Sequence, residues 1–397
     1  MLSDRSTEIV RATLPAVGGA IGEITPLFYD RMFADHPELE RDLFNRGNQA
    51  SGSQRQALAG AIAAYATMLV EQPGARPGAM LARIAHKHAS LGVTAQQYET
   101  VQKYLFTAIV EVLGEAVTPE VASAWDEVYW LMAGELTDLE ARLYQEAGVK
   151  EGEVWQELTV VDRTPQARDS LSLTLRPSDG SPAPDFRPGQ YVSVAVRLPD
   201  GARQIRQYSL SCAPGRGQWR ITVKRVHGGA TPDGEVSGWL HEHVRPGDRL
   251  AVSRPFGDLT LADGDTPLLL ASAGIGCTPM IGMLDHLVRT GSTRPVTAVH
   301  GDRSPADHAH AQQLGELVAA LPGAVLHRWY EEEADAVAAR KGLVDLGAPD
   351  LPDGVQAYLC GPLPFMRAAR AELLRRGIPA EAVHYEVFGP DLWRAGD

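Results

Sequence analysis

The sequence is poor in cysteine: there are three in 397 residues. Cys212, Cys277 and Cys360 lie far apart, odd in number and with no CxxC pair. A disulfide framework is therefore excluded, and a reducing compartment fits. Excess positive charge is also missing. Lys and Arg total 37 against 50 Asp and Glu, a net charge of −13. Nucleic acid as a general partner is disfavoured, because phosphate binding needs a basic face. No apolar run approaches the ~18 residues of a membrane-spanning helix. The first residues, with Asp4, Arg5 and Glu8, show no apolar segment of a secretory signal. These absences lead us to expect a cytoplasmic chain with no membrane anchor. Internal repeats and low-complexity segments are absent as well.

The length implies two or three domains, and 44% apolar residues are enough for each to bury a core. Over residues 1–147 the apolar period is 3.6. Leu58, Ile62, Tyr65 and Leu69 mark a helix over 54–72, and Tyr98, Val101, Leu105, Ile109 and Val112 another over 95–113. Thr118 and Pro119 form a cap and first turn for a third, over 119–145. Gly74, Pro77 and Gly78 interrupt the chain between helices. From residue 148 the period changes to 2. Short strands are predicted at 158–161, 171–175, 191–196, 206–211, 219–225 and 249–252, with Pro, Gly and Asp between them. Six such strands predict a small antiparallel β-barrel over 152–262, with one short helix at 237–243. Beyond a linker at Asp263, Gly264 and Asp265, residues 266–397 alternate strands and helices. That pattern predicts an α/β domain with a parallel sheet.

Three stretches could carry chemistry. Arg206, Gln207, Tyr208 and Ser209 fall in an extended run between Gly201 and Pro214. Residues two apart share a face of a strand, so Arg206 and Tyr208 project together. A guanidinium can grip a phosphate as a fork, a phenol can lie along a flavin, and Ser209 offers a small hydroxyl. Alone, an ordinary half-exposed strand explains these residues better. Gly274, Ile275, Gly276, Cys277, Thr278 and Pro279 join a buried-type strand to a helix. Glycines there let backbone N–H groups approach a pyrophosphate at the helix start; a tight structural turn is the bland alternative. Cys360, Gly361 and Pro362 end another strand and would line the same crevice, although Cys360 reads equally well as a small core residue. His86 and His88 are two apart on a helix and cannot face one way.

The order Arg-x-Tyr-Ser, Gly-x-x-Thr-Pro, Cys-Gly-Pro resembles the ferredoxin–NADP reductase family from about residue 152 onward. That family binds FAD on a barrel and a nicotinamide cofactor on the following α/β domain. Pro188 to Tyr191 resembles its flavin-side strand, and Glu235, Val236 and Ser237 the element at the FAD pyrophosphate. Residues 230–234 look like an insertion before that element. In the helical half, Phe28, Tyr29, Phe44, Gln54 and His88 fall in the order of a globin. End to end, the chain resembles the flavohaemoglobins: an all-α globin, an antiparallel β-barrel for FAD and an α/β parallel-sheet nicotinamide-binding domain.

The resemblance implies haem b, FAD and either NADH or NADPH. His88 would ligate iron, leaving His86 solvent-side or structural, with Tyr98 and Glu140 as partners on the proximal side. Tyr29 and Gln54 would be the distal polar groups, walled by Phe28, Phe44 and Leu58. Lys87 and Glu386 match residues near the haem–flavin junction. The expected cofactor contacts also take in Gln207, Val387, Phe388, Gly389 and Pro390. Nitric oxide dioxygenation is the implied activity: NO and O2 to nitrate; the oligomeric state stays open, with a monomer favoured. A haem peroxidase or alkylhydroperoxide reductase driven by NAD(P)H is the main alternative, and an O2- or NO-sensing globin a more distant one. Asp302 and Arg303 follow the second strand of the last domain. An acid there favours a ribose hydroxyl and an arginine the extra phosphate of NADPH, so the pair leaves the choice open.

Overall fold

The computed structural model describes residues 2–72, 78–228, 232–332 and 339–389, apart from the Ala79 side chain. Contacts divide the chain into two units. One is built on Met1–Trp155 and Val196–Ile205, the other on Gln156–Ala195 and Arg206–Phe388.

The first unit is helical: α1 Asp4–Asp35, α2 Pro37–Asp42, α3 Arg46–Ala50, α4 Ser53–Glu71, α5 Gly78–Leu91, α6 Ala95–Leu113 and α7 Pro119–Glu146. Three of these match the helices expected from apolar spacing. The longest, α1, had no such signal, because Pro15 and Pro26 lie inside it and proline normally breaks a helix. Packing overrides that cost: Val10, Val17, Ile24, Phe28, Tyr29 and Met32 are all buried. Ser3 starts α1 by accepting the Ser6 N–H at 3.2 Å. Thr94 and Gln97 form a reciprocal capping box for α6. One core gathers Tyr65, Leu81, Ala85, Trp125 and Leu136. A second gathers Ile24, Phe28, Tyr29, Met32, Tyr104 and Leu105, with Phe44 and Leu58 packed against it.

A hairpin tip from later in the chain completes this unit. Gly201, at φ 82°, turns it. Gln204, fully buried, donates through Nε2 to the main-chain oxygens of Arg41 and Phe44, both at 3.1 Å. Asp42 accepts the Arg203 N–H at 3.0 Å, and Arg46 pairs with Asp200 at 2.6 Å.

In the second unit a six-stranded sheet runs β4-β3-β6-β1-β2-β5. Its strands are β1 Trp155–Ala167, β2 Ser170–Pro177, β3 Tyr191–Arg197, β4 Arg203–Ser209, β5 Trp219–Lys224 and β6 Arg249–Ser253, with α8 Glu235–His243 before the last. The edges meet where Leu210 bridges Ile221, so the sheet closes on itself as the turn-punctuated strands predicted. The remaining elements are β7 Leu268–Ala273, α9 Cys277–Arg289, β8 Val296–Asp302, α10 Ala311–Ala319, β9 Val325–Tyr330, β10 Arg340–Lys341, β11 Gln356–Cys360, α11 Leu363–Arg375 and β12 Val383–Glu386. Their parallel sheet has the order β10-β9-β8-β7-β11-β12. Successive crossovers reverse direction at β7, the place where open α/β sheets bind ligands.

Polar ties join barrel and sheet. His310, in the left-handed region at φ 61°, lies 2.8 Å through Nε2 from Thr222 Oγ1. Asp285 accepts from Ala213 N at 2.7 Å and pairs with Arg216 at 2.6 Å. No described helix is long and apolar enough to cross a membrane.

Candidate functional site

In the helical unit, α5 presents His88 with its side chain 32% exposed. Its Nδ1 is 2.9 Å from both the Tyr98 hydroxyl and Glu140 Oε1. Tyr98 also donates to that oxygen, at 2.5 Å. Glu140 is buried, at 2% exposure. An ionised carboxylate only accepts, so the His88 proton belongs on Nδ1 and the lone pair on Nε2 faces away from the triad. Burial, then the Glu140 charge, pushes the Tyr98 phenol far above its ordinary range, which keeps it a donor. Among the described residues no three His, Cys, Asp or Glu gather to hold a bare ion. Iron in a porphyrin needs little more than one such imidazole from the protein, a group of the kind that His88 presents.

Tyr29 stands in an aromatic nest. Its ring centroid is 4.6 Å from Phe28, 5.5 Å from Phe33 and 5.8 Å, edge-on, from Phe44. Burial raises its phenol; Gln54, Arg55 and Gln49 work against that rise. The structure thus brings Tyr29, Phe44, Leu58 and Gln54 together. It adds Gln49, which sequence reasoning missed. Gln49 is 7% exposed, and neither atom of its amide has a hydrogen-bond partner. Only its place between the Asn45 cap and the Gly52 break could have singled it out. An orphaned amide beside a buried phenol, together with the His88 donor, fits a haem pocket. Lys87 is partly buried on α5.

On the barrel, Arg206 and Tyr208 are both partly exposed on one face of β4. Burial raises the Tyr208 phenol, and Arg206 pulls it back. Gln207 points the other way, donating to Ser193 Oγ at 2.8 Å. Ser209 is 3% exposed and its hydroxyl has no hydrogen-bond partner, an orphan that a flavin ring would satisfy. Buried Tyr191 pairs with Phe256 through its backbone at 2.8 Å. A Cβ at Gly257 would come within 3.0 Å of the Tyr191 ring. Val236 belongs to the core. The Ser237 hydroxyl accepts from Val226 N and donates to Gly234 O, both at 3.1 Å. These two can meet a pyrophosphate only through the backbone N–H groups that begin α8.

In the last domain, the Gly274 turn leaves β7 and enters α9. A Cβ at Gly274 would meet only Lys224 Nζ, at 4.0 Å, so this backbone is approachable. Gly276 is needed for another reason. A Cβ there would lie 2.2 Å from Cys360 O, so close packing of β11 demands glycine. Thr278 spends its hydroxyl on Ile275 O at 3.0 Å, and Pro279 is buried. Burial, then Asp302, pushes the Cys277 thiol up to about 12. Burial likewise raises Cys360, which supports the core reading over a reactive one. Gly361 and Pro362 lead into α11. Arg303 is committed to Asp307 through two nitrogens, at 3.2 and 2.8 Å. Asp302 Oδ1 accepts the Arg303 N–H at 2.9 Å, while Oδ2 has no hydrogen-bond partner. Buried Glu386 accepts the Val387 N–H at 3.1 Å. Phe388 is 46% exposed, Gly389 is exposed, and Pro390 lies outside the described residues.

A globin joined to a flavin- and nicotinamide-binding reductase is the class that this fold and these sites define. Residues 27–136 match the Globin family, 157–261 the Oxidoreductase FAD-binding domain and 270–371 the Oxidoreductase NAD-binding domain. The Flavohemoprotein of Rhizobium meliloti (strain 1021) is 42% identical over 405 residues, covering 99% of this chain and 100% of the relative. That of Bordetella parapertussis is 43% identical over 403 residues, covering 98% and 99%. The crystal structure of flavohemoglobin from Malassezia yamatoensis, with bound FAD and heme, has a TM-score of 0.90 at 36% identity, covering 98% of this chain and 100% of that one. The FAD/NAD-binding domain of nitric oxide dioxygenase from Vibrio cholerae has a TM-score of 0.56 at 34% identity, covering 60% of this chain and 100% of that one. The chain belongs to the flavohemoprotein family, and its FAD- and NAD-binding domains make it an oxidoreductase.

Proposed function

We propose that this oxidoreductase is a nitric oxide dioxygenase, converting NO and O2 to nitrate with electrons from NADH or NADPH. The reading rests on the buried Glu140 carboxylate at His88 Nδ1, which a simple oxygen store does not need. When bound, haem would supply the ferrous centre for dioxygen and NO, and FAD would convert a two-electron hydride into single electrons. His88 would hold the haem through Nε2. Glu140 draws on the Nδ1 proton and strengthens Nε2 as a donor, and Tyr98 fixes the carboxylate. Tyr29 and Gln54 offer an O–H and an N–H where negative charge develops, and Phe44 and Leu58 keep water out.

For FAD, Arg206 would take a phosphate, Tyr208 and Tyr191 would border the ring, and Ser209 would give it a hydrogen bond. The first turn of α8, at Val236 and Ser237, would meet the pyrophosphate. The backbone at Gly274 would receive the nicotinamide cofactor's pyrophosphate, with Gly361 and Pro362 lining the crevice. Three buried, free cysteines support a cytoplasmic setting. The test is NADH oxidation by the purified holoenzyme with NO and O2 together. Electron balance requires two NO consumed and two nitrate formed per NADH. Oxidation that responds to an alkyl hydroperoxide and not to NO would overturn the proposal in favour of a peroxidase.

A further inference from the structure

We propose that Lys224 is the charged ligand of the nicotinamide cofactor's pyrophosphate: the barrel lends the last domain a cation that the Gly274 turn lacks. The inference rests on the cofactor site proposed above and adds a residue to it.

The argument starts from β5. Side chains two apart on a strand share a face, so Arg220, Thr222 and Lys224 form one row. The first two are spent on the last domain. Arg220 donates to Gln313 Oε1 at 3.0 Å, and Thr222 Oγ1 lies 2.8 Å from His310 Nε2. The row therefore faces that domain, and Lys224 continues it. Lys224 is partly buried, yet among the described residues it makes no hydrogen bond or ion pair. Its Nζ stands over the turn, 4.0 Å from where a Cβ on Gly274 would lie. Gly274 itself is in the left-handed region at φ 54°, and its backbone is otherwise open.

The turn needs such a group. A pyrophosphate is doubly anionic, and residues Gly274 to Pro279 carry no charged side chain. Backbone N–H groups at the start of α9 supply only partial positive charge. The nearby acid works against an anion. Burial raises the Cys277 thiol, Asp302 adds to the rise and Lys224 opposes it, so both charges are felt where α9 begins. An ammonium is a compact charge with three donors on a flexible stem. It can close on an anion that lies along the Gly274 backbone. Because Lys224 belongs to the barrel, the same contact ties the cofactor to both domains at once.

The experiment uses the protein loaded with FAD and haem. Lys224→Met keeps most of the stem and removes the charge, and Lys224→Arg keeps a cation. Gly274→Asn tolerates the left-handed backbone and puts a side chain over the turn. Two quantities are measured. One is the calorimetric Kd of ADP-ribose, which has the pyrophosphate and no nicotinamide. The other is the apparent Kd for NADH in anaerobic stopped-flow reduction of FAD. Lys224→Met should raise both roughly ten- to a hundredfold and flatten the salt dependence of ADP-ribose binding. Lys224→Arg should restore most of the affinity, and flavin content after dilution should stay at the wild-type level. Wild-type constants in Lys224→Met, with Gly274→Asn weakened, would leave the turn as the site and remove Lys224 from it. Equal weakening by Lys224→Met and Lys224→Arg would assign the lysine a packing role, and loss of flavin would assign it to the FAD pyrophosphate; either overturns the proposal. Wild-type constants in both Lys224→Met and Gly274→Asn would sink the cofactor-site reading, and this inference with it.

Discussion

Gln204 donates through Nε2 to the main-chain oxygen of Phe44 at 3.1 Å. A side chain from a β-strand thus fixes the backbone at one wall of the candidate haem pocket. Arg46 N, at 3.3 Å from Gln204 Oε1, and Arg41 O complete the clamp. Gln204→Leu would leave three backbone groups without that partner. An unmet buried group costs about 1–3 kcal/mol, so we expect a loss of a few kcal/mol and faster haem loss. Thermal melting and haem transfer to an apoglobin measure both; an unchanged melt would mean the clamp contributes nothing.

His88 and Glu140 should separate by their effects. His88→Ala should lose haem and keep FAD, read from the Soret and flavin bands of one spectrum. Glu140→Gln should keep haem, lower the iron–histidine stretching frequency and reduce NO turnover by roughly 10–100-fold, as outer partners of metal ligands typically do. A normal haem spectrum in His88→Ala would assign the ligand elsewhere.

Arg206→Ala removes a charge-assisted phosphate contact worth on the order of 1.5–3 kcal/mol. FAD affinity should fall by about one to two decades. Flavin content after serial dilution is the measurement, and wild-type retention would remove Arg206 from the site.

NADH should be the better donor. Arg303 must give up Asp307 before it can grip an extra phosphate, which weakens its grip on NADPH. Steady-state kcat/KM for the two nucleotides tests this. Arg303→Ala should leave the NADH value unchanged, and a preference for NADPH would contradict the argument.

Acid should loosen the tie between barrel and sheet. Burial, then Arg220, depresses His310 to about 3, against the opposite pull of Gln313. The unfolded chain therefore takes the proton first. Stability is full above the ordinary histidine pKa of about 6.5 and drains away as pH falls toward 3. Between pH 7 and 5 the loss should be on the order of 2 kcal/mol; burial shifts His308 in the same sense. His310→Asn tolerates the left-handed backbone and does not titrate, so its melting temperature should fall less over this interval. An identical fall in both proteins would assign the acid sensitivity to other groups.

Much of this was legible because periods and turns are local. The helix with Leu58 and Leu69, the strands punctuated by Pro and Gly, and the buried run at Leu268 all stand where spacing put them. Helix α1 was not legible, since its prolines contradict a helix that only tertiary packing supports. Motif residues also proved to have mixed duties. Gly276 answers to Cys360 O, and the Ser237 and Thr278 hydroxyls hold their own loops. Gln49 was invisible because the burial of its amide is set by tertiary packing, which local spacing does not record.

The Gln204 hairpin bears on how such proteins could be recombined. In chain order residues 196–205 follow the start of the barrel, yet their contacts group them with the helices. A globin severed near residue 147 would lose the clamp on Phe44. A reductase grafted onto a foreign globin would present Arg203 and Gln204 to an unmatched loop. Exchange between lineages should therefore conserve the pairing of segment 198–204 with segment 41–46 more strictly than the linker between the halves.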